Sequence, residues 1–291
     1  MLHTLENSLV VATFKEQGAE LCSFRRKDNG LEYIWGANPD IWGRHAPILF
    51  PIVGRLDQNK YVLDGQEYHL SQHGFARDKT WQTAKEGADR ILFRLTSDPD
   101  TMEHYPFDFE LLLEYHLVEN KLITTYRVKN IGDGDMFFSI GGHPAFRCPL
   151  LPEEEFEDYY LEFEKAETLE RQLLHHGLRT GERRPVMQGE IQLPLQAELF
   201  KEDALVFEDV KSDYIVLKSA KNTHSVRVDF AGFPYLGIWT KAGETPFICI
   251  EPWYGITDKA NTEGEDFRKK EGLEHIMTGG QFECSYAITI N

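Results

Sequence analysis

Cysteine is scarce: Cys22, Cys148, Cys249 and Cys284 are the whole supply in 291 residues. They lie far apart and form no Cys-x-x-Cys pair, so zinc-ribbon and redox-motif chemistry has no support. Such sparse usage favours reduced thiols over two disulfides. Positive charge is also short, with 31 Lys+Arg against 48 Asp+Glu and a net charge of -17. That surface repels phosphate backbones and anionic lipid, so neither nucleic acid nor a membrane is an expected partner. No apolar run reaches the length of a membrane-spanning helix. The opening MLHTLENSLVVATFKEQG has no basic n-region and no long apolar h-region, so the expected location is the cytoplasm. Gly-x-Gly-x-x-Gly, a P-loop and a metal-spaced histidine cluster are missing, and no cofactor or metal is expected. No Pro/Gly/Ser linker divides the chain, which reads as a single domain over 1–291.

Hydrophobic residues make up 41% of the chain, enough for a large core without staples. Their spacing is mostly period two. Phe109, Leu111, Leu113, Tyr115 and Leu117 alternate with a second set, and the pattern resumes at Leu122 after Glu119-Asn120-Lys121. That is an antiparallel hairpin. A second hairpin joins Tyr61-Val62-Leu63 to Gln66–Leu70 through Asp64-Gly65, a pair suited to a two-residue turn with positive φ. Further strands are expected at 8–14, 90–96, 136–140, 204–208, 214–218, 225–230, 235–240, 246–251 and 282–289. Short helices are expected near 167–175 and 263–270. The acidic run from Glu153 to Asp158 reads as a solvated loop. The expected fold class is all-β, a sandwich or closed β architecture.

Three segments depart from ordinary strand-and-turn sequence. His73-Gly74-Phe75-Ala76-Arg77 packs a histidine, an aromatic and an arginine around a glycine. Gly141-Gly142-His143-Pro144 fixes an unusual backbone around one histidine. Phe247-Ile248-Cys249-Ile250-Glu251-Pro252-Trp253 ends an apolar strand on a carboxylate. Each has an ordinary structural explanation when taken alone. Together they offer a partly desolvated base and two imidazoles that titrate near neutrality. Phe75, Trp239 and Trp253 supply flat apolar faces for a pyranose, and Trp239 reads equally well as a core aromatic.

Gly54-Arg55, His73–Arg77, Gly142-His143-Pro144 and Ile250-Glu251-Pro252-Trp253 resemble, in order, the motifs of the aldose 1-epimerase (galactose mutarotase) family, nearest its LacX-like branch. The resemblance implies a large antiparallel β-sandwich, the mutarotase supersandwich, and interconversion of the α and β anomers of an aldose. It implies His143 as the acid at the ring oxygen and Glu251 as the base at the anomeric hydroxyl. It implies His73, Arg55, Arg77 and Asp203 as sugar-binding groups. The Asp-His pair of typical galactose mutarotases is absent, since Ala204 follows Asp203, which argues against galactose preference. The His-Gly-Phe-Ala-Arg form is shared with the hexose-6-phosphate branch, so a free or a phosphorylated sugar is the expected partner. The alternatives are a non-catalytic sugar-binding or sugar-sensing module on the same fold, a cupin-type metal enzyme, and a glycosidase. The cupin lacks its His-x-His pair, and the glycosidase leaves the histidines unexplained.

Overall fold

The computed structural model describes residues 1–85, 87–243 and 246–291. Among them the architecture is nearly all β, and every strand pair is antiparallel. A three-stranded sheet is built from Leu2–Glu6, Val10–Lys15 and Glu20–Arg26. A fifteen-stranded sheet takes in most of the remainder and runs from Ile48–Leu49 at one edge to Gln82–Lys85 at the other. One large apolar cluster spans both sheets: Phe14 of the small sheet packs in the same core as Phe93, Leu113, Ile238, Ile248 and Ile250 of the large one. The result is the expected sandwich.

The hairpin readings follow from local chemistry. Phe109–Val118 pairs with Lys121–Asn130, and buried and half-buried residues alternate along both strands up to the exposed Val118 at the end of the first. Lys60–Leu63 pairs with Gln66–His69 across Asp64 and Gly65, whose φ values are +52° and +79°. Both central residues are left-handed, as a primed turn requires.

The two helix expectations fail. Residues 167–175 lie within the strand Tyr159–His175, which forms a hairpin with Leu178–Pro194, each strand 17 residues long. Glu, Leu, Gln and Arg favour helix locally, but pairing with the returning strand overrides a weak propensity. Register shifts along this hairpin break the period-two pattern that would have marked it. The 263–270 segment holds only a single 3-10 turn, Phe267–Lys269. One α-helix, Pro99–His104, was not expected, although Asp98-Pro99 carries its start signal: Asp98 caps Thr101 and Pro99 opens the first turn.

The acidic run also needs correction. Glu154 is buried, and its carboxylate accepts from the Ser219 hydroxyl at 2.6 Å, the Asn222 amide at 2.6 Å and the Tyr159 hydroxyl. This carboxylate ties the loop to the sheet. Glu154→Ala strands three donors, so the expected loss is about 1–3 kcal/mol of folding stability, read as a lower urea midpoint.

Candidate functional site

The strand Phe247–Tyr254 is the foundation of the site. Ile248 and Ile250 enter the main core, while the alternate positions Cys249, Glu251 and Trp253 take the other face. Tyr235–Trp239 pairs along one edge, with Gly237 opposite Glu251. Two short strands pair along the other edge. Ile140–Gly142 covers Trp253 and Tyr254, and Ala145–Arg147 covers Phe247 to Cys249. The ladder is interrupted at His143-Pro144, and the interruption falls beside Glu251. The sequence therefore delivers an imidazole to the carboxylate by leaving a gap in a β ladder.

His143 Nε2 lies 3.1 Å from Glu251 Oε2. The approach lacks hydrogen-bond alignment, and neither Glu251 Oε2 nor His143 Nδ1 has another partner. Both residues are buried, at 7% and 1% exposure. Burial pushes the Glu251 carboxyl well above the usual carboxylate range, and nearby Asp203 adds to the push. The Trp253 indole N–H opposes this without reaching a fully aligned bond. Burial drives His143 down to about 3, helped by the Arg77 and Arg44 cations. Both effects favour a neutral pair.

His73 meets His143 edge-on, with ring centroids 5.6 Å apart. Its backbone is left-handed at φ +66°, and Gly74 follows at +68°. A Cβ on Gly74 would sit 2.3 Å from the Phe50 carbonyl oxygen, so the glycine of the His-Gly pair is a steric requirement. The Gly54 N–H donates to His73 Nδ1 at 3.1 Å. That bond places the ring proton on Nε2. Burial, then His143, Arg77 and Arg44, keeps His73 well below its ordinary value.

These groups open into a cleft of about 390 Å³ lined by His73, Arg77, His143, Asp203, Trp239, Glu251 and Trp253. Seven sequence candidates thus converge. Arg77 Nη2 is spent on the Gln72 carbonyl, while its buried Nε makes no hydrogen bond and has Asp78 Oδ2 3.8 Å away. Burial and Arg44 lower it to about 10. Asp203 is left-handed at φ +74°, with Oδ1 accepting from the Ala204 N–H at 2.8 Å. Trp253 is seated between two glycines, because a Cβ on Gly141 or Gly237 would come within 2.6 or 2.5 Å of the indole.

Two candidates lie elsewhere. Phe75 packs against Phe50, Tyr105 and Phe109, and does not line the cleft. The Arg55 guanidinium donates to the His176 carbonyl at 2.9 Å and to Asn59 Oδ1 at 3.2 Å. It anchors the tip of the long hairpin, and it is that tip, through Leu174 and Gly177, that reaches the cleft. Sequence reasoning missed Trp42, Gln72, Leu174 and Thr257. None of the four carried a signal for the cleft; Trp42 follows the turn-forming run Gly36-Ala37-Asn38-Pro39-Asp40, which marks a loop and nothing more.

Donor atoms of His143, Cys249 and Glu251 lie within 4.8 Å of one another, a nitrogen–sulfur–oxygen trio suited to a thiophilic divalent cation. A cation there would occupy both His143 and Glu251.

The profile of the aldose 1-epimerase family matches residues 1–274. The chain belongs to the aldose 1-epimerase family. The LacX proteins of Lactococcus lactis, plasmid and chromosomal, are each 33% identical to it over 295 residues, covering 98% of both chains. A galactose mutarotase related enzyme from Lactobacillus acidophilus superposes with a TM-score of 0.95 at 36% identity, over 100% of this chain and 97% of that one. A galactose mutarotase-like protein from Lactobacillus casei gives 0.94 at 32% identity, over 100% of both. This epimerase-family member therefore shares its whole architecture with galactose mutarotase-like structures.

The buried histidines have a measurable signature. Folded His143 takes a proton only near pH 3, whereas the unfolded ring takes one near 6.5. Its contribution to stability is complete above pH 6.5 and is lost as pH falls toward 3. His143→Asn is expected to flatten the acid limb of stability against pH in that window, read from urea midpoints, with His73 and the carboxylates held low by their partners, such as Glu110 and Glu271, keeping a slope of the same sign.

Proposed function

We propose that the protein is an aldose 1-epimerase that interconverts sugar anomers, with His143 as acid and Glu251 as base. The observation that carries this reading is the 3.1 Å approach of His143 Nε2 to Glu251 Oε2 at the wall of a sugar-sized cleft. A cyclic aldose is a hemiacetal. Glu251 takes the proton of the C1 hydroxyl, the C1–O5 bond breaks as the carbonyl forms, and His143 delivers a proton to O5. Rotation about C1–C2 presents the other carbonyl face, and closure reverses both transfers. No electrons leave the sugar. Each group contributes about 10²–10⁴-fold.

These roles need the pair's proton on His143, whereas burial alone leaves it on Glu251. A C1 hydroxyl donating to Glu251 stabilises the carboxylate and moves the balance toward the imidazolium. The neutral and ionic forms hold the same number of protons and differ by one short transfer. His73 Nε2–H, Arg77 and Asp203 hold sugar hydroxyls, and Trp239 offers an apolar wall.

The test is polarimetry on freshly dissolved α-aldoses. The purified protein is expected to speed the approach to equilibrium without added nucleotide, and EDTA is expected to leave the rate unchanged. Glu251→Gln and His143→Asn each slow turnover at least tenfold while the circular dichroism of the fold persists. No acceleration across hexoses, pentoses and hexose phosphates rejects the enzyme reading. Hydrolysis of a glycoside would redirect it to the glycosidase.

A further inference from the structure

Trp42 is outside every motif, yet it lines the cleft and touches the proposed acid directly. Its indole stacks on the His143 imidazole, with centroids 5.0 Å apart and planes 28° from parallel. It also stacks on Phe247 at 5.4 Å and meets Trp239 edge-on at 5.5 Å. The loop beneath it is fixed. The Trp42 and Ile41 N–H groups both donate to the Asn38 carbonyl, at 2.8 and 3.0 Å, and the Trp42 carbonyl accepts the Trp35 indole N–H at 2.9 Å.

His143 needs such a neighbour. A proton-transferring histidine is normally oriented by a carboxylate or carbonyl on its second ring nitrogen. Here Nδ1 is buried without a partner. The ring is placed instead by other rings: the indole face of Trp42, the edge of His73 at 5.6 Å and the edge of Trp239 at 5.8 Å. Of these, Trp42 alone is stacked. An indole face also attracts a cation. It is therefore placed to favour the imidazolium that ring opening requires, against the opposing cations Arg77 and Arg44.

We propose that Trp42 is a positioning residue for the epimerase reaction, fixing the His143 ring by stacking and stabilising its charged form. This rests on the function proposed above. It also separates two roles of the cleft aromatics: the Trp42 face is committed to an enzyme side chain, and Trp239 is left to meet the sugar.

The experiment compares Trp42→Leu and Trp42→Phe by steady-state kinetics, and by NMR of histidine-labelled protein without sugar. The His143 signal is assigned by its loss in His143→Asn. Trp42 is half-buried, so both variants are expected to fold. Trp42→Leu is expected to lower kcat about tenfold with KM within twofold, and Trp42→Phe to restore most of the rate because it restores a π face. In Trp42→Leu the His143 ring-proton signals are expected to move as the indole ring current is lost. An unchanged kcat, a Phe variant as impaired as Leu, or a raised KM at constant kcat overturns the proposal, the last by making Trp42 a sugar wall. Unmoved His143 signals overturn it as well. The NMR arm needs no turnover, so failure of the epimerase reading and failure of the stack are told apart.

Discussion

The site depends on one constraint, the missing rungs where two short strands meet the Phe247–Tyr254 strand. A continuous partner strand would bury Glu251 against backbone and leave no room for a ring. The His143-Pro144 break admits the imidazole and the cleft together. Pro144 still takes part in the edge, since its carbonyl accepts the Ile250 N–H at 3.3 Å. The break is thus confined to the space one side chain needs. The glycines around it serve the same end: Gly141 and Gly237 make room for Trp253, which in turn lies against the carboxylate.

Electrostatics at the site run against those of the molecule. The whole chain is strongly acidic, yet cations dominate around the two histidines, and Asp203 stands on the side of Glu251. Desolvation amplifies each of these neighbours, because charges in a buried setting are poorly screened. The pair is left uncharged at rest but one proton transfer from being charged. Under the proposed function, a sugar hydroxyl is the small perturbation that tips this balance.

Much of this was legible in the chain, and the reasons are physical. Period-two alternation marks half-buried strands, so Phe109–Val118 and its partner could be placed directly. Asp64-Gly65 announced its turn by chemistry alone. His73, Arg77, His143, Glu251 and Trp253 stood out because histidine, glycine, proline and a strand-end carboxylate in such short runs have few purely structural uses; Asp203 came only with the family resemblance, and Trp239 read equally well as a core aromatic. The long hairpin was hidden because bulges erase periodicity and its residues favour helix. Phe75 and Arg55 were misplaced because a motif records neighbours in sequence, and consecutive residues of a turn point in different directions. Trp42 was invisible because stacking on a ring a hundred residues away leaves no local trace.

The long hairpin has one more implication. Its tip borders the cleft through Leu174 and Gly177, while its returning strand is largely exposed and, beyond its partner strand, is bridged to Lys259 through Arg179. Variation is tolerated at His175 and His176, whose side chains are exposed, whereas Arg179 beyond them is buried and bound to Glu271 and the Thr257 carbonyl. Arg55 and Thr257, which grip it by its backbone carbonyls, tolerate such variation because they read no side chains there. Substitution at His175 and His176 changes the surface beside the cleft and leaves the Phe247–Tyr254 strand as it is.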